Sequence, residues 1–183
     1  DIASRCLAEG FRVFITERLT LAEGDPDGFW TISAEGLHLE GIRTGEEAHR
    51  QENVNLVVTG ELDLEKVAVA SLKILVQDSQ KGSVLREREL KDNLSSLTTF
   101  QSGLVDEILR MLDQTPGPAA RSRLRAGDTA LPGAFRQYIQ GLGALELQDK
   151  AASLDMALKL FRGAVAVDPQ RALARDREGG GRC

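Results

Sequence analysis

The chain begins with apolar residues at helical spacing, followed by a short segment of strand character. The apolar positions share one face of a helix predicted over 7–21: Leu7, Phe11, Phe14 and Leu21. Glu17 and Arg18 fall on the polar side of that helix. The turn-forming stretch GDPDG at 24–28 ends the helix, and the β-branched and aromatic stretch FWTIS at 29–33 predicts a short strand.

A second helix and two strands are predicted next. Thr44 and Glu47 stand three residues apart in TGEE, which is the spacing of a capping box, so a helix is expected from here to about Gln51. The stretches 54–62 and 67–77 are predicted strands, joined by a polar turn. Apolar residues alternate with polar ones along the second strand: Ala70, Leu72, Ile74 and Val76. This period of two predicts one buried face and one face in water.

A hairpin and a long helix complete this region. DSQKG at 78–82 predicts a hairpin loop in which Gly82 adopts a positive φ. The charged stretch 84–90 returns as an edge strand, where charge discourages pairing with other chains. A helix is predicted between about 94 and 112. Residues 1–113 are therefore predicted to form an α+β domain, a twisted and mainly antiparallel sheet with packed helices.

The C-terminal third of the chain has a different organisation. Residues 114–133 contain three of the five prolines and are predicted to be an extended linker. Two helical patterns, 133–148 and 154–167, predict a helix pair that occupies residues 134–170. The remaining stretch, RALARDREGGGRC at 171–183, is predicted to be a disordered tail.

Charge and composition narrow the function classes. The formal net charge is −5, so the chain has no overall basic field to attract nucleic acid or anionic lipid. Aromatic residues make up 4% of the chain, which is few for base-stacking surfaces. The most apolar run, at 67–76, is interrupted by Lys73 and is too short to span a membrane. We predict no nucleic-acid partner, no direct membrane insertion, and unpaired thiols at Cys6 and Cys183.

Candidate chemistry is weak along the whole chain. Glu61 follows Gly60 near the end of a predicted strand, but no second carboxylate or histidine stands at a spacing that would define an acid–base pair. His38 and His49 lack the further ligands of a zinc site. The acidic residues beside His49 are predicted to be a solvated cluster. We predict no catalytic residue, no cofactor and no metal.

The helix pair has the sharpest local pattern. Ala157, Phe161 and Ala164 stand at i, i+4 and i+7 ahead of Pro169. Small residues let helices approach closely, a large one fills the gap and the proline turns the chain, as is typical of a tetratricopeptide repeat. One partner helix is too narrow to cover this apolar stripe, so we predict a protein-interaction surface formed by Tyr138, Leu142, Ala157, Leu160, Phe161, Ala164 and Val165.

The order of these elements resembles a TolB-like N-terminal domain followed by a tetratricopeptide repeat. The stretches that carry the resemblance are LAEG at 7–10, NLVVTGEL at 55–62, VASLKILVQDSQKG at 69–82, SLTTFQSGLVDEILRML at 96–112, AFRQYIQGLGAL at 134–145 and ALKLFRGAVAVDP at 157–169. The resemblance implies a strand bend at Gly60 and a first sheet strand upstream of Asp1. The turn between the paired helices is about three residues longer than in a standard repeat of roughly 34 residues.

Such domain pairs occur in bacterial signalling proteins, often C-terminal to a serine/threonine kinase domain. The resemblance therefore implies a non-catalytic interaction or regulatory segment of a membrane-associated signalling protein, on either side of the membrane. Its partners would be other proteins or further repeats, with self-association through the exposed repeat face. A chain ending near Leu112 would then stay monomeric. The alternative is a sensory domain that binds a small molecule between sheet and helices.

Overall fold

The computed structural model describes residues 2–23, 29–64, 68–131, 133–147 and 150–170. These residues form seven helices and one three-stranded antiparallel sheet, which confirms a mixed α+β class. The elements are α1 (Ile2–Ala22), α2 (Ala34–Leu39), α3 (Gly45–Glu52), β1 (Leu56–Asp63), β2 (Val69–Asp78), β3 (Val84–Asn93), α4 (Thr98–Met111), α5 (Pro118–Arg125), α6 (Ala134–Leu145) and α7 (Lys150–Val167). Among the described helices, none combines the length and the apolar character needed to cross a bilayer.

Helix α1 is the centre of the packing. Leu7, Phe11 and Phe14 are buried as predicted, whereas Leu21 is exposed and Leu19 takes its place in the core. The ring of Phe11 lies 5.5 Å from that of Phe100 in α4, and the ring of Phe14 lies 5.2 Å from that of Phe135 in α6, each edge to face. This arrangement suits the charge distribution of aromatic rings. Helix α1 therefore links α4 with α6.

The predicted strand at 29–33 is wrong, because these residues are irregular and precede a helix. Trp30 is 57% exposed, and the sheet formed by the described residues does not include it. The hydroxyl of Ser33 accepts a hydrogen bond from the amide of Gly36 at 2.9 Å, the contact that starts a helix, and α2 follows. The predicted turn at 24–28 lies outside the described residues, as do residues 65 and 66 of the predicted turn DLEK at 63–66.

Helix α3 begins with the predicted capping box. The amide of Glu47 donates to the hydroxyl of Thr44 at 3.2 Å, and the carboxylate of Glu47 accepts from the amides of Thr44 and Arg43 at 3.1 and 2.8 Å. The pKa of Glu47 is lowered below its usual value mainly by the hydrogen bond from the backbone amide of Arg43. The hydrogen bond from the amide of Thr44 is the second largest influence. The helix ends at Asn53, whose left-handed φ of 53° lets its amide bond to the carbonyl of Ala48.

The sheet has the order β1-β2-β3, with β2 in the middle. Its alternating apolar residues are buried, as predicted: Ala70, Leu72, Ile74 and Val76. Strand β1 stays paired with β2 on both sides of Gly60, whose partner is Ile74, so the strand does not leave the sheet at Gly60. The loop between β2 and β3 has Gly82 at φ 66°, which confirms its predicted left-handed conformation.

Strand β3 confirms the predicted polar edge. Arg88 forms an ion pair with Glu107 of α4 at 3.3 Å, and Arg86 bonds to the carbonyl of Met111 at the end of α4. Charged residues on an edge strand oppose pairing with another sheet. Helix α4 begins at Thr98, later than predicted, because Leu97 before it has a left-handed φ of 56° that a continuous helix does not allow. The carboxylate of Asp92 accepts a hydrogen bond from the amide of Phe100 in the first turn, at 2.9 Å.

The stretch predicted as an extended linker contains helix α5. Pro118 stands at its start, where a missing amide hydrogen costs nothing.

Arg18 of α1, predicted on the polar side, is instead buried beneath this helix. Its guanidinium donates to the carbonyls of Leu124 and Ala126 and forms an ion pair with Asp128 at 3.2 Å. The carbonyls at the end of α5 are thus satisfied by a residue more than one hundred positions earlier.

Helices α6 and α7 share the same core as the sheet. Phe135 and Ile139 of α6 are fully buried, and one continuous cluster of buried residues extends from Leu7 to Ala164. Both helices begin near the predicted positions, although α7 starts at Lys150, four residues early. The described residues on the two sides of α5 therefore fold around one hydrophobic core.

Candidate protein-interaction surface

Two glycines allow α1 and α6 to cross in direct backbone contact. A Cβ atom at Gly10 would overlap the carbonyl oxygen of Ile139, and one at Gly143 would overlap the carbonyl oxygen of Cys6. No larger residue fits at either position without separating the helices. This crossing fixes α6 on α1 and provides the base on which α7 rests.

Helix α7 packs on the other side of α6. A Cβ atom at Gly141 would stand 2.6 Å from the ring of Phe161, so the ring occupies the space that a larger residue at Gly141 would need. The ring of Phe161 also lies 6.0 Å from that of Tyr138. Nearer the connection between the two helices, Ala144 and Ala157 cluster with Cys6. Contact partners run in opposite order along the two helices, so α6 and α7 are antiparallel.

Polar contacts fix both ends of this pair. Arg12 of α1 forms ion pairs with Glu146 at 2.5 Å and with Glu9 at 2.8 Å. These carboxylates raise the pKa of Arg12 against the opposing effect of its burial, which is the largest single influence on that pKa. At the far end, the hydroxyl of Thr129 donates to the carboxylate of Asp168. Helix α7 ends at Val167, ahead of Pro169, which confirms the predicted stop.

The predicted interaction residues divide into covered and accessible positions. Four are buried inside the molecule and belong to its packing: Tyr138, Leu142, Ala157 and Ala164. Leu160 and Phe161 are half-buried against the core. Val165 is 43% exposed and lies on the open side of α7. The seven residues therefore do not form one exposed surface, since most of them hold α7 in place.

An apolar stripe on the open side of α7 is formed largely by other residues. Leu154 is 51% exposed and Leu158 is 44% exposed, and both share a helix face with Val165. We call Leu154, Leu158 and Val165 the outer stripe. Their spacing of four and seven residues follows the helical period. The sequence already contains this pattern, because Leu158 and Val165 directly follow the alanines Ala157 and Ala164. Asp155 and Arg162, both exposed, flank the outer stripe.

The acidic and histidine residues considered as candidates for catalysis or metal binding are Glu61, His38 and His49. Glu61 faces Lys73 across the strand pair on the outer side of the sheet. The imidazole of His49 bonds to the carbonyl of Val54 at 2.9 Å, and the side chain of His38 lies outside the described residues. In the described part of the chain, no three His, Cys, Asp or Glu residues are grouped as metal ligands would be.

Of the two cysteines, Cys6 is described, and it is free and buried at the crossing of α1 and α6. Burial, the largest influence, raises the pKa of its thiol, while the charge of Arg5 acts in the opposite direction. A buried thiol with a raised pKa is a poor nucleophile. Cys183 lies outside the described residues.

A cleft of about 500 Å³ lies beside α1. Its polar lining residues are Arg12, Thr16, Glu17, Thr20, Ser33, Glu35 and Glu146. It runs along the side of α1 that carries Arg12, beside Glu146 at the end of α6, and none of its lining residues belongs to the sheet. Its one cationic side chain, Arg12, is already paired with two carboxylates.

Comparison of the chain with protein-family models, with curated proteins and with solved structures gives no match.

Proposed function

We propose that this chain is a non-catalytic protein-interaction segment whose binding surface is the outer stripe of α7. In this proposal α6 and α7 form a tetratricopeptide-like hairpin that follows a TolB-like α+β domain. The segment would belong to a bacterial signalling protein in which a kinase or another output domain stands upstream. Its partners would be other proteins or further repeats.

The observation that carries the proposal is an exposed apolar stripe on a rigid support. Exposed apolar side chains gathered on one helix face are typical of sites that bind another protein. Helix α7 is held by Phe161 against Gly141 and by Ala157 in a buried cluster. A partner would therefore meet the outer stripe without first ordering it, which lowers the entropic cost of binding.

Site-specific photocrosslinking tests this function. A photoreactive amino acid replaces Leu158 in the full-length protein, expressed in its native host, and a matched control carries it at Glu87 on the sheet. Both positions are exposed. We expect a protein adduct from position 158 and none from position 87. Irradiation that yields no adduct at 158, or equal adducts at both positions, would contradict the proposal.

A second proposal, small-molecule binding, rests on the cleft beside α1. Its size suits a metabolite, and it has both charged and hydroxyl groups. Melting of the chain in metabolite and nucleotide mixtures tests this proposal. A rise of several degrees that disappears in Thr16→Leu would favour a sensory role, and an unchanged melting temperature in every mixture would remove it.

A further inference from the structure

We propose that the partner of the outer stripe is a second copy of this chain, with the two α7 helices packed antiparallel about a two-fold axis. This inference rests on the proposed function, because it names the protein that the outer stripe binds. Two independent features of α7 support it: the spacing of its apolar residues and the placement of two charges.

The apolar spacing is symmetric along the helix. The outer stripe and the adjoining ring of Phe161 stand at positions 154, 158, 161 and 165, so the intervals are four, three and four residues. Read from either end, these intervals are the same. In an antiparallel pair centred between residues 159 and 160, Leu154 would meet Val165 of the other copy, and Leu158 would meet its Phe161. Every exposed apolar residue of the outer stripe would then have an apolar neighbour.

The charges flanking the stripe are complementary in the same arrangement. Asp155 and Arg162 are two helical turns apart, so they lie on one flank of the outer stripe. Neither forms an ion pair within the described part of the chain. In that antiparallel pair the same flanks face each other, and each Asp155 lies level with residue 164 of the other copy. Arg162 of that copy is two residues away, about 3 Å along the helix axis, a distance that its long side chain can span. The dimer would therefore contain two equivalent ion pairs.

A small interface of this kind predicts weak association. Four apolar side chains and one charge pair from each copy would bury less surface than a standard stable interface. We expect dissociation constants in the micromolar range or above. A helix from an unrelated protein would have no requirement for symmetric spacing or for self-complementary charges, so the symmetry favours a second copy.

Sedimentation equilibrium of the full chain with charge-reversal variants tests the inference. Asp155→Arg and Arg162→Asp each replace two attractive pairs by two repulsive ones, and we expect each variant to dimerise about 10-fold more weakly. An equimolar mixture of the two variants, and the double variant by itself, should recover the original affinity. Glu40→Arg is the control, because it makes the same change of charge as Asp155→Arg at an exposed position outside α7. This variant should dimerise like the unmodified chain.

Each result decides the inference. A chain that stays monomeric over the whole concentration range, or a dimer that tolerates both reversals, overturns it. A mixture of the two variants that fails to regain affinity overturns the antiparallel arrangement. The photocrosslinking experiment separates this inference from the function: adducts with other proteins alone leave the proposed function standing and remove the dimer, whereas no adduct at Leu158 removes both.

Discussion

At the residue scale, the glycines between helices have the largest effect on packing. Gly10 and Gly143 bring the backbones of α1 and α6 into contact, and Gly141 makes room for the ring of Phe161. The sequence shows these glycines inside helical patterns, where glycine is unfavourable by about 1 kcal/mol relative to alanine. Close approach of another element is the reason that they occur there.

Gly143→Ala should destabilise the protein by about 3 kcal/mol, because the added methyl group would overlap the carbonyl of Cys6 and push α6 away from α1. Urea unfolding measures this loss. Gly103→Ala is the matched control, since that helical glycine in α4 has open space around it. It should stabilise the protein by about 0.5–1 kcal/mol. Equal effects of the two substitutions would contradict the close crossing.

At the element scale, side chains from distant parts of the chain stabilise helix ends. The intrinsic helix propensity of the residues at those ends would not keep them ordered. Helix α5 has eight residues, which is too short to be stable in isolation. Buried Ala120 and Leu124 attach it to the core, and Arg18 of α1 satisfies its terminal carbonyls. The arginines Arg123 and Arg125 also bond to the protein itself, through the carbonyls of Leu21 and Ser102.

Arg18→Met should cost about 3 kcal/mol of unfolding free energy, because it leaves the carbonyls of Leu124 and Ala126 without this donor and removes one ion pair of Asp128. Arg18→Lys should recover little, since one ammonium group lacks the planar fork of the guanidinium. Arg121→Met, an exposed change on α5, should stay within about 0.5 kcal/mol of the unmodified protein. Chemical denaturation measures all three. If Arg18→Met behaved like the exposed change, α5 would not depend on this anchor.

The capping box of α3 predicts a pH dependence. Because the pKa of Glu47 is lower in the folded chain, the unfolded state binds more protons as the pH falls, and folding is progressively disfavoured. The contribution of Glu47 is fully present above its unfolded-state pKa and is lost as the pH drops through its folded-state pKa. The difference in stability between the unmodified chain and Glu47→Gln should therefore shrink between about pH 6 and about pH 3.

Denaturant unfolding across that pH range measures the difference. Glu40→Gln is the control at an exposed carboxylate outside any capping box. A Glu47→Gln difference that stays constant with pH would show that the hydrogen bonds from Arg43 and Thr44 do not depend on the charge of the carboxylate.

At the scale of the whole molecule, the core joins the sheet to the C-terminal helices. The ring of Phe14 contacts Phe135, and Ala164 of α7 belongs to the same buried cluster as Ile74 of β2. This continuity changes the expectation for a chain that ends near Leu112, because removing α5, α6 and α7 would uncover the apolar face of α1.

A chain of residues 1–112 should therefore lose cooperative unfolding, and it should aggregate rather than remain a folded monomer. Thermal melting and sedimentation compare it with the full chain. A sharp melting transition together with a monomeric mass would mean that the N-terminal region folds independently and that the shared core adds little to its stability.

The features that depend on local rules were predictable from the sequence. The capping box of Thr44 and Glu47, the positive φ of Gly82, the alternation along β2 and the stop before Pro169 follow from neighbours a few residues away, and all are present. Which faces of the helices are covered was not predictable in this way. Burial depends on distant elements, so Arg18 is hidden by α5 and Trp30 is left exposed. The same reason applies to the binding surface: α6 and the rest of the core cover Ala157 and Ala164, and Leu154 and Leu158 remain open.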